Sequence, residues 1–282
     1  LNESGLCLMD NLKRHPNPLT QLRLFNFFCI FHLVRYMALL EAFYCGENIR
    51  PVLLDFSGIA PSQSSVARAS EMAYTQMHKS INRFYAWGYA QKLKEKDYSK
   101  EDLLQSETPV YDEKKKASVE FSTLWNLAKE RASACATDDA ARLVFGETMY
   151  DMLALEASSH PVNCLKILGT SAGMLYPPDQ MHPNKRFVLS QDILEMILRS
   201  TVSPDEVLSG NDMRNRLWER FGIIIGGSTY EIEKLQSSGM LLQIDEDSLE
   251  RNFTSFAALL ESMDFAEVMA DGILQIRLGG SD

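Results

Sequence analysis

The chain has no C-x-x-C pair, no G-x-x-x-x-G-K-[ST] phosphate loop, and no histidine spaced i, i+4 from a second histidine. Those absences remove the usual zinc, dithiol and nucleotide-phosphate signatures, so no metal and no cofactor is expected. Gly226-Gly227 also lacks the further glycine of a dinucleotide fingerprint. Cysteine is sparse and odd in number: Cys7, Cys29, Cys45, Cys135 and Cys164 are scattered over 282 residues, which argues for reduced thiols and a cytoplasmic location rather than a disulfide framework. Of the five histidines, His15, His160 and His182 directly precede proline, which favours extended loop backbone. Hydrogen bonding rather than catalysis is expected of them, and of His32 and His78. Basic residues are scarce at the C-terminal end, where residues 203–282 hold 6 Lys/Arg against 15 Asp/Glu, a charge of −9 within a total of −10. Residues 1–91, with 8 Lys/Arg against 6 Asp/Glu, stand at +2.

What is present is core material. A composition of 45% hydrophobic and 23% charged residues belongs to a folded protein of one large or two ordinary domains, and excludes disorder, collagen and coiled coil for the bulk of the chain. Leu22 to Cys45 is long enough to span a bilayer. It carries Arg23, Asn26, His32, Arg35 and Glu41 on several sides, and a charge at the bilayer centre costs roughly 2.5–3.5 kcal/mol. The segment therefore reads as a helix buried in a protein core, with no membrane as partner.

Helical periodicity dominates to about residue 202. A helix over Leu19–Cys45 is stopped by Gly46 and Pro51, and Val52–Phe56 is a short apolar run of ambiguous type. Val66, Ala69, Ala73, Met77, Ile81 and Phe84 make the core stripe of a helix from Ser64 to about Lys96. Lys92–Lys116 reads as a helix end plus a charged, solvated linker. Helices follow at Ala117–Ala134, Asp138–Ala157 and Gln191–Thr201, the last capped by Ser190, with a proline-rich loop at Tyr176–Phe187.

The last 80 residues carry strong local signals. Ser203-Pro204-Asp205-Glu206 has the order N-cap, first-turn Pro and N3 Glu of a helix start. A helix Asp212–Phe221 stops at Gly222, Ile223-Ile224-Ile225 is a β-branched strand, and Ser228 with Glu231 boxes a helix ending at Gly239. Asp247 can cap Ser248–Met263, and the apolar runs Phe265–Met269 and Ile273–Leu278 around Asp271-Gly272 signal a hairpin. In the order helix, short strand, helix, helix, strand, turn, strand, residues 211–278 resemble a winged-helix domain. A helical body carrying such a module also looks, more loosely, like accessory subunits of bacterial DNA-transaction and phage-defence machines. The expected fold is mainly α: a helical body over 1–202 and a winged-helix-like domain over 203–282.

Winged helices that grip DNA use basic residues on the third helix and the wing. Here that helix has Arg251 alone, behind Asp245, Glu246 and Asp247, and the hairpin tip is Asp271. Since duplex DNA demands neutralisation of several phosphates, a module at −9 reads as one that packs on protein. Direct nucleic-acid contact would fall to Arg214, Arg216, Arg220 and Arg251, or to Arg68, Lys79 and Arg83 on one side of the Ser64–Lys96 helix. Gly169-Thr170-Ser171-Ala172-Gly173 matches G-x-S-x-G and looks like the nucleophile elbow of patatin-like lipid hydrolases, which would make Ser171 nucleophile and Asp271 its partner. That chemistry needs Leu165–Leu168 as the strand before the elbow. Against it, Pro177-Pro178 cuts off the following helix, and the alternative reading is a helix end packed closely at the glycines. The expectation is a non-enzymatic scaffold or adaptor that works by protein contacts in a larger cytosolic assembly.

Overall fold

Serine, aspartate and glycine set the helix ends. In a computed structural model, which describes residues 2–46, 48–109, 119–156, 161–238, 244–270 and 272–278, Ser190 accepts from the Ile193 N–H and Ser228 with Glu231 closes a complete capping box. Gly222 ends its helix in the left-handed region that favours glycine, at φ 63°. The fold is mainly helical, with eleven helices and seven short strands among the described residues.

The chain forms two compact units, the first from residues 1–37, 49–77 and 165–282, the second from 38–48 and 78–164. In the first lie α1 (Asn2–Arg14), most of α2 (Pro18–Cys45), β1 (Val52–Leu53), the start of α3 (Ser65–Glu95) and the end of α7 (Pro161–Ser171). It continues with β2 (Leu175–Tyr176), β3 (Arg186–Phe187), α8 (Gln191–Arg199), β4 (Val207–Ser209), α9 (Gly210–Phe221) and β5 (Ile223–Ile224). It closes with α10 (Thr229–Ser237), α11 (Glu246–Ser262), β6 (Ala266–Val268) and β7 (Leu274–Arg277). Strands β4, β7 and β6 lie in that order in one antiparallel sheet, β2 pairs with β3, and β1 runs parallel to β5.

The first unit does not follow a boundary at residue 202, because the extended segment 52–56 is built into the C-terminal residues. The Val52 and Leu54 N–H groups donate to Gly222 and Ile224, and the Asp55 N–H donates to Phe187. Asn252 of α11, 1% exposed, joins the pieces: its Nδ2 donates to the Leu54 carbonyl at 2.8 Å and the Ile225 carbonyl at 2.7 Å, and its Oδ1 accepts the Phe56 N–H at 2.7 Å. Asp55, wholly buried, lies 3.0 Å from Arg186 Nε. Asn11 does the same service for α1, donating to the Arg199 and Val202 carbonyls at the end of α8.

In the second unit α4 (Lys100–Gln105), α5 (Val119–Ser133) and α6 (Asp138–Glu156) pack with the ends of α2 and α3. Leu103, Phe121, Trp125, Ala128, Phe145 and Met152 are the main buried members of its core. Gly146 of α6 lies so close to α3 that a Cβ there would stand 2.2 Å from the Ala86 carbonyl oxygen.

Several expectations are corrected. Ser203–Glu206 starts no helix: Glu206 does accept the Ser203 N–H, but Asp205 turns to φ 66° and the chain leaves as β4. Ile223–Ile224 is the strand expected, and its partner is β1. The cap of α11 is Asp245, two residues before Asp247. The charged linker contains α4, held by a Ser99–Asp102 capping box and by Leu103 at 2% exposure. Leu165–Leu168 is helical, within α7. Lys114–Lys116, His160, Gly239 and Asp271 lie outside the described residues.

Two stability predictions follow from this geometry. Asn252→Leu strands three buried backbone groups at about 1–3 kcal/mol each, so urea unfolding should show a loss of at least ~3 kcal/mol; a loss under ~1 kcal/mol would remove Asn252 as the joint. Gly146→Ala, which in an open helix would gain about 1 kcal/mol, should instead cost about 1–3 kcal/mol through overpacking against α3.

Candidate interaction surface

Helix α2 is apolar on both sides, but only one side is covered. Leu24, Phe28, Phe31 and Val34 are buried in the first unit, while Leu19, Leu22, Phe25, Leu33 and Tyr36 are between 42% and 77% exposed. At 3.6 residues per turn those five and the exposed Cys29 fall within about 120° of one another, a stripe about 26 Å long opposite the buried positions. The expectation of a core-buried helix therefore holds for one face.

The ionic side chains of α2 are tied into their own protein. Arg23 pairs with Asp192 at 3.2 Å, and Arg35 Nε donates to the Phe221 carbonyl at 2.9 Å. His32 is packed among Phe28, Phe31 and Phe221, where burial and then the Arg35 charge pull its pKa down to about 4, so the ring is neutral at pH 7. In the second unit Arg83 Nε lies 2.6 Å from the buried carboxylate of Glu41. By length and composition α2 could cross a membrane.

The basic residues singled out in the sequence divide. Arg214 is buried: it donates to the Gly226 carbonyl at 3.0 Å, bonds Asn211, and stacks over the Phe253 ring at 4.1 Å. Arg216 forms a two-pronged pair with Glu206 at 2.9 and 2.6 Å, and Arg220 donates to the Ser200 and Thr201 carbonyls. These three arginines staple the first unit. Arg251 is exposed beside its helix cap, bonding Ser248. Arg68 is exposed on the first unit's part of α3. Lys79 and Arg83 line a cleft of about 320 Å³ with Glu147 and Asp151, so acidic groups face the basic ones there. Burial, then Glu147, raises the Asp151 pKa.

Ser171 is the last residue of α7, exposed, with its Oγ accepting from Gln180 Nε2 at 3.2 Å. No strand leads into it, and its flanking glycines are explained by packing: a Cβ at Gly169 would meet Leu175 at 2.8 Å, and one at Gly173 would meet Ser190 Oγ at 2.6 Å. No cluster of three His, Cys, Asp or Glu side chains suited to a metal occurs among the described residues. The α2 stripe carries no motif, but counting apolar residues on both faces of a helix with too many for one core would have flagged it. Comparison with protein-family models, curated proteins and solved structures gave no match.

The Arg216 guanidinium holds the Glu206 carboxyl down to about 2. A depressed carboxyl adds stability above its ordinary pKa of about 4.3, and that stability is lost as pH falls towards 2. Urea midpoints of the parent and Glu206→Gln should therefore differ at pH 7 and converge between pH 5 and pH 2; a gap constant with pH would contradict the pairing.

Proposed function

We propose that this protein is a non-enzymatic adaptor that docks a helical, apolar protein partner on the outer face of α2 within a larger cytosolic assembly. The observation that carries the reading is the apolar stripe from Leu19 to Tyr36, which also holds the exposed Asn26, on a helix whose ionic side chains are already used within the fold. Contiguous exposed apolar surface of this length is uncommon on a protein that works alone. Arg23 and Arg35, paired with groups of the protein's own fold, favour a protein partner over lipid.

The C-terminal residues serve the same reading as a winged-helix-like module that contacts protein. In support, the helices α9, α10 and α11 lead into the β6–β7 hairpin, on which β4 pairs from before α9, and the charge of the region, −9, disfavours duplex DNA. The loose likeness to accessory subunits of DNA-transaction and phage-defence machines names the first assemblies to examine.

Affinity purification of the tagged full chain from its native cells, with and without nuclease, tests the adaptor reading. A stoichiometric protein partner should survive nuclease and be lost, with unchanged thermal stability, in Leu22→Asp/Leu33→Asp. Recovery that depends on nucleic acid would move the function to Arg68 and Arg251, and fractionation with membranes would move α2 into lipid. Either result, or a monomer that brings down nothing, contradicts the proposal.

A further inference from the structure

Lys234 of α10 carries a charge that no described anion meets, in a stretch, residues 203–282, whose balance is −9. Its ammonium has no hydrogen bond or ion pair among the described residues and is met by aromatic rings instead. It stands 5.4 Å from the ring centroid of Trp218 on α9 and 5.0 Å from that of Tyr230, one turn earlier on α10. The two rings are 6.4 Å apart at 81°, an edge-on pair that forms a corner. These three distances make an angle of about 76° at the ammonium, close to the angle between the ring planes, as a cation standing over both faces requires. Trp218 and Lys234 are half-buried and Tyr230 is 40% exposed, so the corner opens to solvent.

Lysine is a poor fit to such a corner. The ring faces offer no lone pair to its three N–H donors, and an ammonium is strongly hydrated. A trimethylammonium group keeps the charge, has no N–H to strand, and lays methyl surface on both rings. Acidic surroundings raise the local concentration of any cation. From this geometry we infer that the Trp218–Tyr230 corner is a binding site for a trimethylammonium group, with Lys234 as its resident competitor. A ligand enters when Lys234 swings into water, so the share of time that the lysine spends in the corner sets how much apparent affinity is lost. The inference does not rest on the adaptor reading.

Choline and 3,3-dimethylbutanol test it, because they share a shape and differ in charge, the alcohol having carbon in place of the quaternary nitrogen. Both are titrated into the full-length protein, with binding read from the Trp218 indole N–H resonance in a ¹⁵N correlation spectrum, assigned from Trp218→Phe. Choline should shift that resonance and bind about tenfold more tightly than the alcohol. Lys234→Gln should tighten choline about fivefold, whereas Lys234→Arg, which keeps a cation over the rings, should not. Tyr230→Leu removes one wall while keeping the reporter, and should weaken choline about fivefold. A short peptide carrying trimethyllysine separates the sources: binding well above that of choline places the group on a modified protein, and binding equal to it places the group on a free small molecule. If choline moves Trp218 in neither the parent nor Lys234→Gln, binds no better than the alcohol, gains nothing from Lys234→Gln, or binds Tyr230→Leu as it binds the parent, the inference is overturned and the corner is a seat for Lys234 alone.

Discussion

The first unit depends on a buried amide that has no local reason to be there. Asn252 sits on α11, but its three hydrogen bonds go to backbone on either side of it in space: Leu54 and Phe56 from the extended segment after α2, and Ile225 from the turn after β5. Strands β1 and β5 are two residues each, too short to hold together by ladder bonds alone. The side chain supplies both the donors and the acceptor the ladder lacks, in a place where water cannot. It thereby joins residues 49–77 and 165–282 within one compact unit.

That joint explains which parts of the fold were legible in the sequence. Helix ends are local chemistry, so Ser190, Gly222 and the Ser228–Glu231 box could be read from four-residue windows, and the hairpin from its Asp-Gly. The Ser203–Glu206 box misled because its hydrogen bond forms without a helix: the same carboxylate is drawn to Arg216, and the chain leaves through a left-handed Asp205. The partner of Ile223–Ile224 lies some 170 residues upstream, and no local pattern encodes a contact at that distance. Asn252 was invisible for the same reason, since a lone Asn on an amphipathic helix looks like a surface residue.

The basic residues teach a related lesson. Arg214, Arg216 and Arg220 recur on one helix as a DNA-binding helix might present them, yet each is occupied by carbonyls, a carboxylate or an aromatic ring within the first unit. Arginine stitches polar backbone together as readily as it meets phosphate. In this acidic environment the first use prevails. The α2 stripe shows the converse: the sequence pointed to a helix too apolar for water, and the folded chain covers only half of it.

Cys29 is a natural probe placed within that uncovered half, with the exposed Cys164 as an internal reference. The direct measurement is maleimide labelling of both thiols, in the purified protein and in gentle extract from the native cells, quantified by peptide mass spectrometry. If α2 docks a partner, Cys29 labels in the purified chain and is protected in extract while Cys164 labels in both. Equal labelling of Cys29 in both settings would mean that the stripe stays bare in the cell, and would contradict the adaptor account.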